Sequence, residues 1–347
     1  MKIAIHHNPG SFSDRWIAYC SERSINFKTV NCLDTDIIDQ LKDCDILMWH
    51  HSQGNPQEII IAKSILYSLQ QSGKIIFPDF NTNWHFDDKL GQKYLFEALS
   101  VPMVTSYAFY DKKIALNWIE QTIFPKVFKL RGGAGSQNVK LIRTKGEAKK
   151  IISKAFGRGF RQYDAWSNLK ERWRLFLLGN ADLWNLTKGV IRLGYEPEFS
   201  KIIGWERGYA YFQDFIPDND FDIRVIVIDN KAFAIKRMVR KNDFRASGSG
   251  NILYNKENFD DSTIRLAFEI ADKLKGQSMA FDFVYDDKRP LVVEVSYAFT
   301  KEGYDPCPGY WDKELNWFEE SFNPYGWMVE LVIRKAKEKY FTHSENQ

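Results

Sequence analysis

Strand-like apolar runs and helix-spaced apolar stripes alternate along the first hundred residues. KIAIHH reads as a strand, FSDRWIAYCSERS as a helix, FKTVNC as a strand, DTDIIDQLKDC as a helix and DILMWHH as a strand. PQEIIIAKSILYSLQQSG repeats the helical spacing with Gly73 as its stop, and KIIFPD is another strand. This alternation predicts a parallel sheet covered by helices. No GxGxxG follows the first strand, so the pattern lends no support to a dinucleotide site.

From Phe86 onward the pattern changes. A helix carrying Lys89 and Lys93 is predicted to end near Ser100, and short strands and turns follow to Ile142. Residues 157–210 mix polar and aromatic positions without one period and are read as helices. The last third is regular again. FDIRVIVIDNKAFAIKRMV is two alternating segments joined by Asp229-Asn230, a pair suited to positive φ in a two-residue turn. DSTIRLAFEIADKLKG places Ile264, Ala267, Phe268, Ala271 and Leu274 on one helical stripe, with Ser262 near its start and Gly276 at its stop. SMAFDFVY and LVVEVSY form a hairpin over the five residues DDKRP, and Asn323-Pro324 fit the cap and first position of a terminal helix.

Composition narrows the class. A chain of 347 residues with 44% apolar and 27% charged positions is a folded protein of two or three domains. A net charge of +3 provides no basic field for nucleic acid. No apolar run reaches the length of a membrane span, and MKIAIHHNPG is too short in its apolar part for a signal peptide, so a cytoplasmic location is expected. Cys20, Cys32, Cys44 and Cys307 form no CxxC pair, which argues against a zinc site or a disulfide framework.

Candidate chemistry concentrates in two hairpins and a loop. With Tyr285 facing Leu291 across DDKRP, counting outward sets Asp282 opposite Glu294. Phe281, Phe283, Val293 and Val295 then share one face, and Asp282, Glu294 and Ser296 the other. Two facing carboxylates repel unless a positive charge lies between them. Either a divalent cation, Mg²⁺ or Mn²⁺ given oxygen donors alone, supplies it, or a Lys or Arg side chain does, or both acids simply point to solvent. The same counting around Asp229-Asn230 sets Asp222 opposite Arg237 with Arg224 on that face. This is a cross-strand ion pair or, together with Arg245, part of a basic cluster suited to a polyanion. FPKVFKLRGGAGSQNVKLI reads as a hairpin whose loop exposes the amides of Gly132, Gly133 and Gly135, with Ser136 as a further donor and Lys129 as charge. That is a flap for phosphate oxygens, or else an ordinary glycine-rich turn.

In order and spacing these motifs resemble the ATP-grasp superfamily, nearest to its ribosomal-protein glutamate ligase and glutathione synthetase-like branch, from about Phe86 to Ser296. The resemblance implies an α/β chain with α+β lobes. It comprises an N-terminal parallel α/β domain (1–85), a small lobe with the glycine flap and a 157–210 insertion (86–212), and a large lobe with the metal hairpin and terminal helix (213–340). It implies ATP and Mg²⁺ (or Mn²⁺) as cofactors and small-molecule carboxylate and amine substrates. Lys89 and Lys129 become nucleotide lysines, and Gln213, Asp214, Phe215 and Ile216 the hinge that holds adenine. Arg224, Arg237 and Arg245 become phosphate or substrate contacts, and Asp282, Glu294 and Ser296 the metal ligands. Ser296 stands where the family commonly has asparagine, a better cation ligand than a hydroxyl.

The implied reaction is carboxylate-amine ligation through an acyl phosphate, with a sugar acid or amino acid in bacterial surface-polysaccharide biosynthesis as the expected setting. A nucleotide-binding protein without catalysis and an ATP-dependent phosphotransferase are the alternatives. Cys307 is read as a structural thiol, and the pairs His6-His7 and His50-His51 as strand-end histidines that are solvated or face substrate. Residues 297–323 are read as an ordered connection or a substrate-facing wall.

Overall fold

A computed structural model describes residues 1–133, 138–161, 163, 165–177, 182–194, 198–240, 243–246 and 248–344. Its first unit alternates β1 (Ile3–His6), α1 (Phe12–Glu22), β2 (Phe27–Val30), α2 (Ile37–Gln40), β3 (Ile46–Met48), α3 (Pro56–Gln71) and β4 (Ile75–Phe77). The strands are parallel in the order β2-β1-β3-β4, as the alternation predicts. Ser11 caps α1 and Asn55 caps α3, whose next residue is Pro56, while Gly73 takes φ +87° just past the end of α3. The predicted helix in DTDIIDQLKDC is a single turn, α2.

Next come α4 (Phe80–Asn83), α5 (Lys89–Ala98), β5 (Ser106–Phe109), α6 (Lys112–Gln121), β6 (Lys126–Lys129), β7 (Lys140–Ile142) and α7 (Lys145–Ala155). The segment read as helices contains β8 (Phe160–Arg161), α8 (Ala165–Leu177), α9 (Leu183–Gly194), α10 (Glu198–Ile203) and β9 (Trp205–Glu206), and β10 (Ala210–Asp214) follows. An antiparallel sheet runs β5-β10-β6-β7, so the glycine-rich segment does join two paired strands.

The third sheet uses β11 (Phe221–Ile228), β12 (Lys231–Met238), β13 (Ile252–Leu253), β14 (Ser278–Asp286), β15 (Arg289–Ser296), β16 (Tyr310–Asp312) and β17 (Trp317–Phe318). It is packed by α11 (Asp261–Leu274) and α12 (Pro324–Ser344). The predicted stripe on α11 is buried against Val225, Phe281 and Phe283. Asp260 caps this helix, Ser262 is its second residue as read, and Lys275 in the left-handed region ends it. Asn323 accepts from the amides of Tyr325 and Gly326 and so caps α12 as predicted.

The opposite face of the third sheet is divided. Ile226, Ile228, Phe233 and Ile235 pack against Ile3, Trp16 and Phe77 of the first unit and Met328 and Val332 of α12. Two to four residues further along the same strands, that face carries Asp222, Arg224 and Arg237 instead. A hydrophobic seal therefore adjoins a charged floor on one surface. Tyr297, fully buried, donates its hydroxyl to the His51 carbonyl at 2.7 Å and ties the end of β15 to the first unit.

Candidate functional site

The floor is a row of charges across β12, β11, β14 and β15. Arg237 lies opposite Asp222 and donates to it at 2.6 and 2.7 Å, in the register counted from the turn. Arg224 lies opposite Asp282 and grips both its oxygens, Nη2 at 2.6 Å, while Arg237 Nη2 also reaches Asp282 at 3.0 Å. Burial alone would raise the Asp282 carboxyl, but the two guanidiniums outweigh it and hold the group well below the usual carboxylate range. Asp222, pushed up by burial and drawn down by Arg237, settles above its ordinary value.

Asp282 does stand opposite Glu294, yet the hairpin is tighter than the sequence reading assumed. Asp287 and Lys288, both at positive φ, form a two-residue turn with Asp286 facing Arg289 and Tyr285 facing Pro290. A bulge at Val293 restores the register between Phe283 and Asp282, so Val293 leaves the core face and Val292 takes its buried place. Between the two acids the positive charge comes from side chains: Asp282 has its arginines, and Glu294 has Lys89 at 3.1 Å.

Lys89 is the first residue of α5, whose cap Asp88 accepts from the Gly91 amide. Its Nζ also donates to the Gly133 carbonyl at 3.0 Å. Gly133, at φ +114°, donates its own amide to Asp87 at 2.7 Å, and Arg131 pairs with Asp88 at 2.6 Å. Both ends of this contact lie at the root of the glycine-rich hairpin, which is thereby anchored on α5. Gly132 is buried there, and Gly135 and Ser136 lie outside the described residues.

Lys129, at the end of β6, is buried and donates to Gln213 Oε1 at 2.6 Å. Burial lowers its pKa to about 8, with Glu294 and Asp282 opposing that fall and Lys89 adding to it, so all these charges act on one space. Gln213 is held in turn by Ser106 Oγ at 3.1 Å, and Tyr211 donates to the same hydroxyl. Asp214 accepts from Lys126 at 2.5 Å and gives its amide to the Thr105 carbonyl. β10 ends at Asp214, so Phe215 and Ile216 leave the ladder, with the Phe215 ring edge-on to Phe244 at 6.0 Å. Arg245 is turned onto Asp243, 2.6 Å away.

Mg²⁺ is typically held through one or two carboxylates together with waters and ligand phosphates. Glu294, with its side chain 30% exposed, fits that mode as a hard oxygen donor, while both Asp282 oxygens are held by Arg224 and Arg237, and no group of three or more His, Cys, Asp or Glu side chains that could hold a metal ion gathers among the described residues. The Ser296 hydroxyl lies on the same face, where it donates to the Ala298 carbonyl at 3.0 Å and accepts from the Ala298 amide.

Cys307 is buried, its thiol pushed up to about 12 by burial, with the Ala234 carbonyl at 3.6 Å. The histidines are packing groups more than solvated ones: His6 and His51 are buried, and burial drops His50 to about 3 and His51 to about 4. Only His7 of the two pairs is exposed.

Sequence reasoning missed Gln92 and Asp87. The Gln92 amide donates to Val295 O at 2.8 Å and accepts from Val295 N at 3.2 Å, satisfying the edge of β15 next to Glu294. Its position one helical turn beyond Lys89 was the available signal.

Residues 200–305 match the RimK-like ATP-grasp domain family. A RimK domain ATP-grasp protein from Sphaerobacter thermophilus superposes with TM-score 0.56 at 12% identity, covering 96% of this chain and all of that one. D-alanine–D-alanine ligase from Bacillus anthracis, complexed with ATP, gives TM-score 0.56 at 13% identity over 98% and 99% of the two chains. The ATP-grasp ligase PsnB, complexed with a precursor variant, Mg and ADP, gives 0.55 at 10% identity over 96% and 98%. No curated protein sequence matches the chain. The shared architecture is the ATP-grasp fold.

Proposed function

We propose that this chain, which has the ATP-grasp fold and matches the RimK-like ATP-grasp domain family over residues 200–305, is an ATP-dependent carboxylate-amine ligase working through an acyl phosphate. The observation that carries the reading is the meeting of Lys89, Lys129, Arg224 and Arg237 with Asp282 and Glu294 at the root of a glycine-rich hairpin. Four cations against these acids and Asp222 suit a polyanion such as a triphosphate.

Lys129 and Lys89 hold the phosphates, and the amide of Gly132 approaches them from the hairpin, the Gly133 amide being taken by Asp87. Phe215 and Ile216, beyond the end of β10, offer backbone groups to the base, with Gln213 fixing Lys129. Glu294, with Asp282 behind it once bound phosphates draw its arginines away, would hold Mg²⁺, which when bound neutralises phosphate charge.

A carboxylate is a poor acyl donor because its leaving group is oxide. Its oxygen attacks the γ-phosphorus of ATP, the bond to the bridging oxygen breaks, and ADP leaves with that electron pair. Arg224 and Arg237 use one guanidinium edge on the acids, and the remaining Nη1 groups stabilise charge on the transferred group. The amine nitrogen then attacks the acyl carbon, phosphate departs, and the nitrogen loses a proton to give the amide. The acid is taken to be a sugar acid or amino acid, the class the sequence resemblance implies.

The test mixes purified protein, ATP, Mg²⁺ and panels of acid and amine pairs. ADP and phosphate release that requires both substrates supports the reading. A folded sample that binds ATP and releases no ADP with any pair overturns it, and a stable phosphate ester as product converts it to a phosphotransferase.

A further inference from the structure

The helices α8 and α9 form an antiparallel hairpin whose apolar residues largely face away from its own packing. Arg172 Nη1 donates to the Asn185 carbonyl at 2.9 Å, Leu186 is buried, and a Cβ on Gly189 would meet Arg172 at 2.7 Å and Leu169 at 3.0 Å. The inner side is therefore filled. Outside it, Trp166, Trp173 and Leu177 of α8 and Leu183, Trp184 and Ile191 of α9 are each between 53% and 68% exposed. In α8 the exposed positions 166, 170, 173 and 177 form one helical stripe, with Lys170 between the tryptophans. In α9, Lys188 sits in the same way between Trp184 and Ile191.

Charge is concentrated here too. Residues 165–194 hold five lysines and arginines against Glu171 and Asp182, a local +3 that equals the net charge of the whole chain. At the base of the hairpin a cavity of about 360 Å³ is lined by Arg161, Tyr163, Arg192 and Lys201. A protein partner is disfavoured by the interleaved lysines, since the centres of protein interfaces are depleted of lysine. Tryptophan and leucine interleaved with lysine is instead the pattern of helices lying at a lipid-water boundary.

We propose that this hairpin seats the protein peripherally on an anionic phospholipid bilayer, its tryptophans and leucines entering the interface and a lipid phosphate occupying the basic cavity. Among the described residues no helix is long and apolar enough to cross a membrane, so the contact is with the surface.

Sedimentation of the full chain with vesicles tests this, comparing phosphatidylcholine alone with phosphatidylcholine plus phosphatidylglycerol, each at low and high salt. The expected result is at least about tenfold stronger partition onto the anionic vesicles, weakened by salt, with a blue shift of tryptophan emission. The double substitution Trp173→Ser with Trp184→Ser is expected to lower partition about tenfold, and Arg192→Glu to abolish the preference for anionic lipid. Thermal unfolding and gel-filtration volume of each variant establish that it is folded. Absent or equal partition on the two vesicle types overturns the proposal. So does concentration-dependent self-association that disappears in the tryptophan variant, which would make the stripe a contact between copies of the chain.

Discussion

Lys89 Nζ lies 3.1 Å from Glu294 Oε1 and donates to the Gly133 carbonyl at 3.0 Å, so one buried ammonium joins the acid strand to the glycine-rich hairpin. A cation in the first turn of a helix opposes the peptide dipoles. Burial alone would also lower its pKa, yet Glu294 and Asp87 raise it, so Lys89 stays charged where a nucleotide's phosphates are expected. Glu294 and Asp282 consequently have different duties, which substitution separates. Asp282→Asn strands Arg224 and Arg237, and breaking such a buried pair costs about 3–5 kcal/mol. Glu294 is 30% exposed, so Glu294→Gln is expected to cost only about 1 kcal/mol while reducing turnover about 100-fold. Thermal unfolding and ADP release measured on both variants check this, and equal losses of stability would contradict the division.

Lys129 is expected to make nucleotide binding pH-dependent. Burial lowers its pKa from the ordinary 10.5 to about 8, so between those values the unfolded chain binds the extra proton. The stability cost is complete below about 8 and shrinks as pH rises through 8 toward 10.5. Nucleotide affinity has the opposite slope, because a triphosphate favours the ammonium. ATP affinity is expected to fall by up to about tenfold per pH unit above 8, with proton uptake on binding. Calorimetry in two buffers of different ionisation heat, on either side of that pH, measures both. Lys129→Met is expected to bind weakly at every pH and to show no such slope.

Much of this was legible in the sequence because β-pairing follows from turn chemistry. Asp229-Asn230 defines a two-residue turn, and counting outward reaches Asp222 opposite Arg237 as observed. DDKRP has no such single reading: the turn closes at Asp287-Lys288, and the bulge at Val293 happens to return Asp282 to Glu294. Counting cannot see a bulge, since it adds one residue without altering the apolar pattern. The neutralisation of the acids by Lys89, Arg224 and Arg237 depends on four strands and a helix meeting, information that no local spacing contains. His51 departs from a solvated strand end for a related reason: such ends are solvated in an isolated unit, but Tyr297 and Phe86 cover it here.

Asp87 is expected to weaken the resting protein at neutral pH. Its carboxylate accepts from the Gly133 amide at 2.7 Å, and burial raises its pKa from 3.8 to about 6 despite that bond and Lys89. Between those two values the folded chain binds the extra proton, so the cost of the buried charge is complete above about 6 and is relieved as pH falls. Asp87→Asn keeps a carbonyl acceptor for Gly133 and tolerates the positive φ of 55°. It is expected to raise the unfolding temperature by about 2–4 °C at neutral pH and by little at pH 5. A fall in unfolding temperature at both pH values would show that the charge supports Lys89 more than it costs.

Ser296 tests whether the cation site is complete. Its hydroxyl bridges the Ala298 carbonyl and amide at 3.0 and 3.1 Å, a local ring that closes the end of β15 two residues from Glu294. An asparagine there has a longer side chain and an amide oxygen that is a better donor to a hard cation than a hydroxyl. Ser296→Asn is therefore expected to tighten Mn²⁺ about three- to tenfold in the presence of ADP, measured by metal titration, with a loss of at most about 1 kcal/mol from the broken ring. For a ligase limited by cation binding, turnover at low Mg²⁺ rises with the affinity. Tighter Mn²⁺ without ADP release from any acid and amine pair would favour a nucleotide-binding protein without catalysis, because the chemistry would then be missing from residues other than 296.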